Sequence, residues 1–243
     1  MKKLITICLV VTMILVVSGI AQASLSLGTA ANFAVLGGST VTNTGNTIIN
    51  GDLGVWPGTA ITGFGPGIVN GTTYAGGAVA QQAQSDLATA YNTLAGMAFT
   101  QDLTGTGLGG LTLTAGVYNF DTSAGLTGAL TLSGPGDFVF QIGSTLTTAS
   151  GSSVFAINGA DASNVYWQVG SSATLGTTTA FEGSILALAS ITLNTGATID
   201  YGRALAQTGA VTLDSNVVTI PEPATICLLG LGALSLLRRK SRA

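Results

Sequence analysis

The chain has 243 residues, of which 47% are hydrophobic and only 7% charged, with no histidine and a net charge of −3. The lack of histidine excludes an imidazole general base, a Ser-His-Asp triad and His-ligated metals. Its two cysteines, Cys8 and Cys227, lie in the end segments, which leaves the region between them without disulfides or thiolate chemistry.

The chain opens Met1-Lys2-Lys3, continues apolar from Leu4 to Ile20, and reaches Ala21-Gln22-Ala23. A basic start, an apolar middle and a small-x-small site predict a secretory signal peptide over residues 1–23, cut after Ala23. The other reading of this segment is a membrane anchor. In the body, residues 24–220, one basic residue (Arg203) faces eight aspartates and Glu182, a net charge of −8. Such a surface cannot neutralise phosphates, so nucleic acid is excluded as a partner. About two hundred residues suit one domain, and a monomer is expected.

Between Ala75 and Leu94 the residues Val79, Ala83, Leu87, Ala90, Tyr91 and Leu94 recur at spacings of three and four, with no proline. This predicts an amphipathic helix over about residues 75–95, its apolar stripe against the rest of the body. Gly105 to Gly110 fits G-x-G-x-x-G, but the strand-like Leu111 to Tyr118 follows it, so it reads as a flexible turn and not a dinucleotide site.

From Leu111 onward an apolar–Thr–Leu phrase recurs, centred on Thr112, Thr131, Thr174, Thr192 and Thr212, at spacings of 19, 43, 18 and 20 residues. The gap of 43 leaves room for two units with an insertion. Gly183 to Ala187 returns as Gly202 to Ala206, and Phe140 to Ser144 as Trp167 to Ser171. A period of 18–20 with alternating apolar and hydroxylic residues predicts short strands, two or three per turn of a β-solenoid. Leucine and isoleucine point inward and threonine outward. A β-sandwich with chance repetition is the alternative.

Glu182 and Asp200 occupy equivalent places in successive units. Paired carboxylates can hydrolyse glycosides or bind calcium, which makes a polysaccharide-acting solenoid one functional alternative. Solvated corners are the commoner use of such residues. Trp56, Tyr166, Trp167 and Phe181 read as core or cap aromatics. The remaining feature is the array of threonines. A solenoid face repeats its side chains at about 4.8 Å between strands and about 6.6–7 Å along a strand. Threonine presents a methyl and a hydroxyl on a stiff stem, which can order water into a lattice. Threonine also faces outward merely because it suits strands.

The chain ends with Pro221-Glu222-Pro223, an apolar run from Ala224 to Leu237, and Arg238-Arg239-Lys240. The run is short for a full membrane span and its basic end favours the cytoplasmic side, so it reads as a membrane tether. It resembles the PEP-CTERM sorting signal of Gram-negative bacteria. That resemblance implies transient retention in the inner membrane, cutting by an exosortase near Pro221, Glu222 and Pro223, and delivery to the cell surface or extracellular polysaccharide.

The long phrases from Leu27 to Gly67, the helix Ala80 to Gly96, and the stretches Gly109 to Phe120, Asn164 to Gly176 and Ile185 to Asp214 are together similar to the microbial ice-binding-like proteins. The resemblance implies a mainly β fold: a right-handed discontinuous β-solenoid of triangular section with one long α-helix packed alongside. It also implies adsorption to ice or an ordered water surface through one flat face. The overall reading is of a non-enzymatic, cofactor-free and metal-free protein, and the sorting tail adds extracellular polysaccharide as a further partner. A T-[AG]-x-[TN] motif of that family matches Thr44 to Thr47, Thr59 to Thr62 and Thr195 to Thr198, while Thr177 to Ala180 departs from it. The candidate ice-binding residues are therefore Thr44, Thr47, Thr59, Thr62, Thr177, Thr179, Thr195 and Thr198. The ladder of Thr112, Thr131, Thr174, Thr192 and Thr212 is a rival face. A surface or matrix protein with no affinity for ice is the alternative function.

Overall fold

The computed structural model describes residues 25–221. The predicted signal peptide, the apolar run and basic end of the sorting tail, and both cysteines lie outside the described residues.

Each complete turn of the chain makes the same circuit of three strand segments. The turn that begins at Phe33–Gly37 continues through Thr40–Thr44 and Ile48–Asn50, and the next begins at Asp52–Val55. All pairings between turns are parallel, so each strand lies on its counterpart in the next turn and the three faces grow as three stacks. Inward positions are mostly apolar on all three faces, because alternate residues of a strand point to opposite sides and every second one meets the core. Leu213, Ile191, Val218, Ile199, Ala204 and Ile185 are all essentially buried in one continuous core. Near one end an aromatic column fills it. Phe140 and Trp167 stack at 3.9 Å with ring planes 8° apart, flanked by Tyr118 at 5.4 Å and Phe181 at 4.9 Å. Trp167 and Phe181 are thus core residues, as expected.

Two long strands, Ala180–Ala187 and Thr198–Ala206, run across one corner and belong to two faces. Gly183 makes the bend with φ +95°, and a Cβ there would stand 2.6 Å from the Val165 carbonyl oxygen. The repeated glycine of Gly183 to Ala187 is therefore a corner requirement.

The stack is not in chain order. The turn at 33–50 lies on the turn at 203–219: Leu36 pairs with Leu205, Val41 with Val211 and Ile48 with Val217. The turn at 52–69 lies beyond it. Turns 184–200, 165–182, 138–157 and 116–133 follow on the other side. The chain closes one end with Thr73–Ala75 and opens the other at Gln101–Asp102. Between these ends runs the helix α1, Gly77–Ala95.

The helix covers the face that starts each turn. Ala83, Leu87, Ala90, Tyr91 and Leu94 pack on Phe33, Leu36, Leu205, Leu186, Tyr166 and Val139, which makes a second core outside the solenoid. The predicted stripe is corrected at one point: Val79 is 49% exposed and Ala80 is buried in its place. Spacings of three and four back from Leu87 lead to Ala83 and Ala80, which leaves Val79 rotated out. Gln84 donates to the carbonyls of Gly37 and Ala206, both at 3.0 Å. Gln141 donates to Leu94 and Met97 at 2.7 and 2.8 Å, satisfying carbonyls at the helix C-terminus.

Arg203 is also structural. It is 7% exposed and donates through Nε and Nη2 to the Ala31 carbonyl, and through Nη1 to Ser184. Burial pulls its pKa down to about 10. The guanidinium joins the entering chain to the last complete turn.

Candidate functional site: a threonine sheet

The second strand of each turn forms a seven-stranded sheet of its own. Its order is Ala60–Thr62, Thr40–Thr44, Val211–Asp214, Ile191–Leu193, Ala173–Leu175, Leu146–Thr148 and Ala124–Leu126. Register runs straight across it: Thr62 lies on Thr42, Thr42 on Thr212, Thr212 on Thr192, Thr192 on Thr174 and Thr174 on Thr147. Six threonines therefore stand in one outward row, over roughly 24 Å at about 4.8 Å per strand. Gly125 ends the row.

Each threonine is held from below. Inward neighbours such as Val211, Leu213, Ile191, Leu193 and Leu175 are buried, and none of these pairings shows a register shift. The six side chains are half-buried or exposed. Among the described residues, the hydroxyls of Thr62, Thr147, Thr174 and Thr192 have no protein partner, while Thr42 reaches Thr212 at 3.4 Å. Beside the row, small hydroxylic residues brace one another: Thr145 donates to Ser123 at 2.9 Å, and Ser172 and Ser190 accept from the backbone of Ser190 and Ala210. Asp214 is the only charged residue in these seven strands, and it takes the Thr195 hydroxyl at the sheet's border.

The third face of the solenoid is different. Phe155 and Ile157 protrude there, 47% and 43% exposed. Glu182 and Asp200 are in register on it, as their equivalent positions predict. The Glu182 carboxylate accepts the Ala156 N–H at 2.8 Å. Desolvation, and then the charge of Asp200, push its pKa up. Among the described residues no group of three histidine, cysteine or acidic side chains is placed to hold a metal ion.

The eight motif threonines do not gather on one face. Thr62 is in the central row. Thr44, opposite Asp214, ends its strand, and Thr59 precedes another, both at the sheet's margin. Thr177 and Thr195 are exposed at the corner after it. Thr198 lies on the third face between Ala180 and Val217. Thr47 and Thr179 are fully buried, which corrects their reading as ice-contacting residues. Thr47 Oγ1 accepts the Asn216 N–H, and Thr179 bonds Thr148 at 2.8 Å. The reason is geometric: four residues carry the chain round a corner, so the second threonine faces inward or onto another face.

The rival ladder is also split. Thr174, Thr192 and Thr212 belong to the row, but Thr112 and Thr131 pair with each other on the third face. The gap of 43 is one whole turn, an inserted loop with the short 3-10 helix Ala162–Asn164, and a change of face. Thr42 and Thr147 escaped the phrase because Asn43 and Thr148 replace the inward leucine. Both are buried and hydrogen-bonded, Asn43 to the carbonyls of Gly45 and Gly63.

A three-faced stack with one bulge-free threonine sheet meets a family model described as ice-binding-like, which matches residues 35–219. The chain belongs to the ice-binding-like family. An ice-binding protein from Nostoc sp. (strain HG1) is 60% identical over 228 residues, covering 87% of this chain and 84% of that one. The crystal structure of an ice-binding protein from an Antarctic biological consortium superimposes with a TM-score of 0.79 at 50% identity, over 84% of this chain and 94% of the other. That of an ice-binding protein from the ascomycete Antarctomyces psychrotrophicus gives 0.78 at 45% identity, over 83% and 100%. The discontinuous β-solenoid with its single long helix is thus the ice-binding-like fold. The end of the chain, residues 219–242, matches the PEP-CTERM protein-sorting motif, so this family member carries an export and sorting signal.

Proposed function

We propose that this is an exported, non-enzymatic ice-binding protein that adsorbs to ice through the threonine sheet. The observation that carries the reading is the row of six in-register threonines on a sheet without bulges or bulky side chains. Each contributes a methyl and a hydroxyl on a stiff stem. Packing beneath fixes the array before contact, so many weak contacts form at little ordering cost. The marginal threonines Thr44, Thr59, Thr177 and Thr195 extend the hydroxyl array at its borders. Thr198, on the third face, lies outside it.

The test is substitution of Thr192 by tyrosine, whose ring stands above the plane and holds an ice lattice away from its neighbours. Thermal hysteresis and crystal faceting are expected to fall several-fold, with the melting temperature of the protein unchanged. Thr198→Tyr, an equally large change on another face, is expected to keep activity. Loss in Thr198→Tyr with full activity in Thr192→Tyr would move the site to the third face.

The sorting-motif match supports a second element of the reading. The signal peptide is removed after Ala23, the tail holds the protein at the inner membrane, and an exosortase acts at Pro221, Glu222 and Pro223. The product reaches the cell surface or extracellular polysaccharide, where its ice contacts act on crystals outside the cell.

A further inference from the structure

Each turn passes from the helix-covered face to the threonine sheet, then to the third face, then back. Of the three corners, one does not border the threonine sheet: that between the third face and the helix-covered face. In a section of three sides this corner is opposite the sheet.

Both ends of the body meet there. The last strand, Val217–Thr219, lies on the third face, and Ile220 donates its N–H to the Asn50 carbonyl at 3.2 Å. The Ile220 side chain lies 3.1 Å from where a Cβ on Gly51 would stand, and Gly51 is the corner residue between Asn50 and Asp52. Leu25 and Leu27, from the beginning of the body, line a recess of about 310 Å³ together with Ile220 and Pro221. Tyr201 makes the same corner one turn away and is 56% exposed. Tyrosine is a side chain suited to a boundary between apolar and aqueous phases.

We infer that the tail leaves the molecule opposite its ice-binding surface, so that the tethered protein turns its third-face corner to the membrane and presents the threonine sheet away from it. This rests on the function proposed above. The sorting tail would then act as a mount that fixes the protein's orientation, as well as an address.

The test uses the chain from Ser24 to Ala243 with Cys227→Ser, inserted through its tail into phosphatidylethanolamine–phosphatidylglycerol vesicles. The body has no cysteine of its own, so Thr192→Cys and Tyr201→Cys each give a single thiol. Labelling by a bulky polymer-maleimide is compared on vesicles and in detergent. Thr192→Cys is expected to react equally in both, and Tyr201→Cys several-fold more slowly on vesicles. Protection of Thr192→Cys, or equal reaction of Tyr201→Cys in both, would overturn the orientation. Vesicles bearing the Cys227→Ser chain are then expected to adhere to a growing ice front, and those bearing Thr192→Tyr to be pushed ahead of it. Failure to adhere, with the detergent-solubilised chain still shaping ice, would overturn outward presentation. Failure of the solubilised chain to shape ice would instead refute the ice-binding function, and the labelling would still decide the orientation.

Discussion

Threonine has three different jobs in this molecule, and its neighbours decide which. Thr192 stands between Ile191 and Leu193, both buried, so its own side chain must point out. Thr179 has the opposite orientation and spends its hydroxyl on Thr148. Thr29 ties the entering chain to α1, donating its N–H and its hydroxyl to Asp86, both at 2.7 Å. Those two bonds, the hydroxyl's first, hold the Asp86 carboxyl below the usual carboxylate range. A depressed pKa means the contribution is complete above the ordinary carboxylate value and is lost as pH falls through the depressed one. Asp86→Asn is therefore expected to cost about 1 kcal/mol at neutral pH, a figure kept low by solvent exposure. The difference should vanish in strong acid, and urea unfolding at several pH values measures it. Glu182 has the opposite sign. Its raised pKa means that ionisation costs stability as pH rises through that value. Glu182→Gln keeps an acceptor for Ala156 and should be neutral or stabilising at pH 7. A loss of stability would show the charge itself to be needed.

At the level of elements, the helix and the strands differ in how plainly they were written. The spacing of Ala83, Leu87, Ala90 and Leu94 specified α1, because a helix with one buried side needs apolar residues at three and four. Leu87→Ala should cost roughly 2–5 kcal/mol, as for other buried leucines. Val79→Ala, on the exposed side, should stay within about 0.5 kcal/mol. Thermal denaturation separates the two. The strands were legible as strands but not by face. Every side of the solenoid needs inward leucine or isoleucine and tolerates outward threonine, so Leu130-Thr131-Leu132 and Ile191-Thr192-Leu193 read alike while lying on different sheets. Faces are told apart by what crosses the corner, and corner length varies from turn to turn. For the same reason the T-x-x-T spacing pointed to the borders of the sheet and, of the row itself, found only Thr62.

For the whole molecule, the decisive contacts are between distant parts of the chain. Solenoids commonly grow by adding turns to neighbours in sequence. Here Val35 pairs with Ala204 and Val41 with Val211, so the turn at 33–50, paired with the turn at 52–69 on one side, has an open edge on the other until the last turn exists. Deleting residues 203–219 should therefore abolish cooperative unfolding and not merely shorten the stack. Circular dichroism melting would show a broad transition in place of a single sharp one. A sharp transition at lower temperature would mean that the two halves fold independently. Arg203 lies at this junction. Arg203→Lys should cost roughly 1–3 kcal/mol, because an ammonium cannot reproduce the fork on the Ala31 carbonyl.

The helix that returns the chain from one end of the stack to the other also acts as a ruler. A new turn adds about 4.8 Å of stack and one threonine to the row, while each helical residue adds only about 1.5 Å. Lengthening the threonine sheet by one strand thus requires about three further residues in α1, inserted at a distance from the sheet they serve. Three residues rotate the apolar stripe by about 300°, so the insertion must also restore its register with Leu186 and Leu205. Growth of this protein is quantised by two periods that do not divide evenly. The width of the threonine sheet is fixed by a helix on another face of the solenoid.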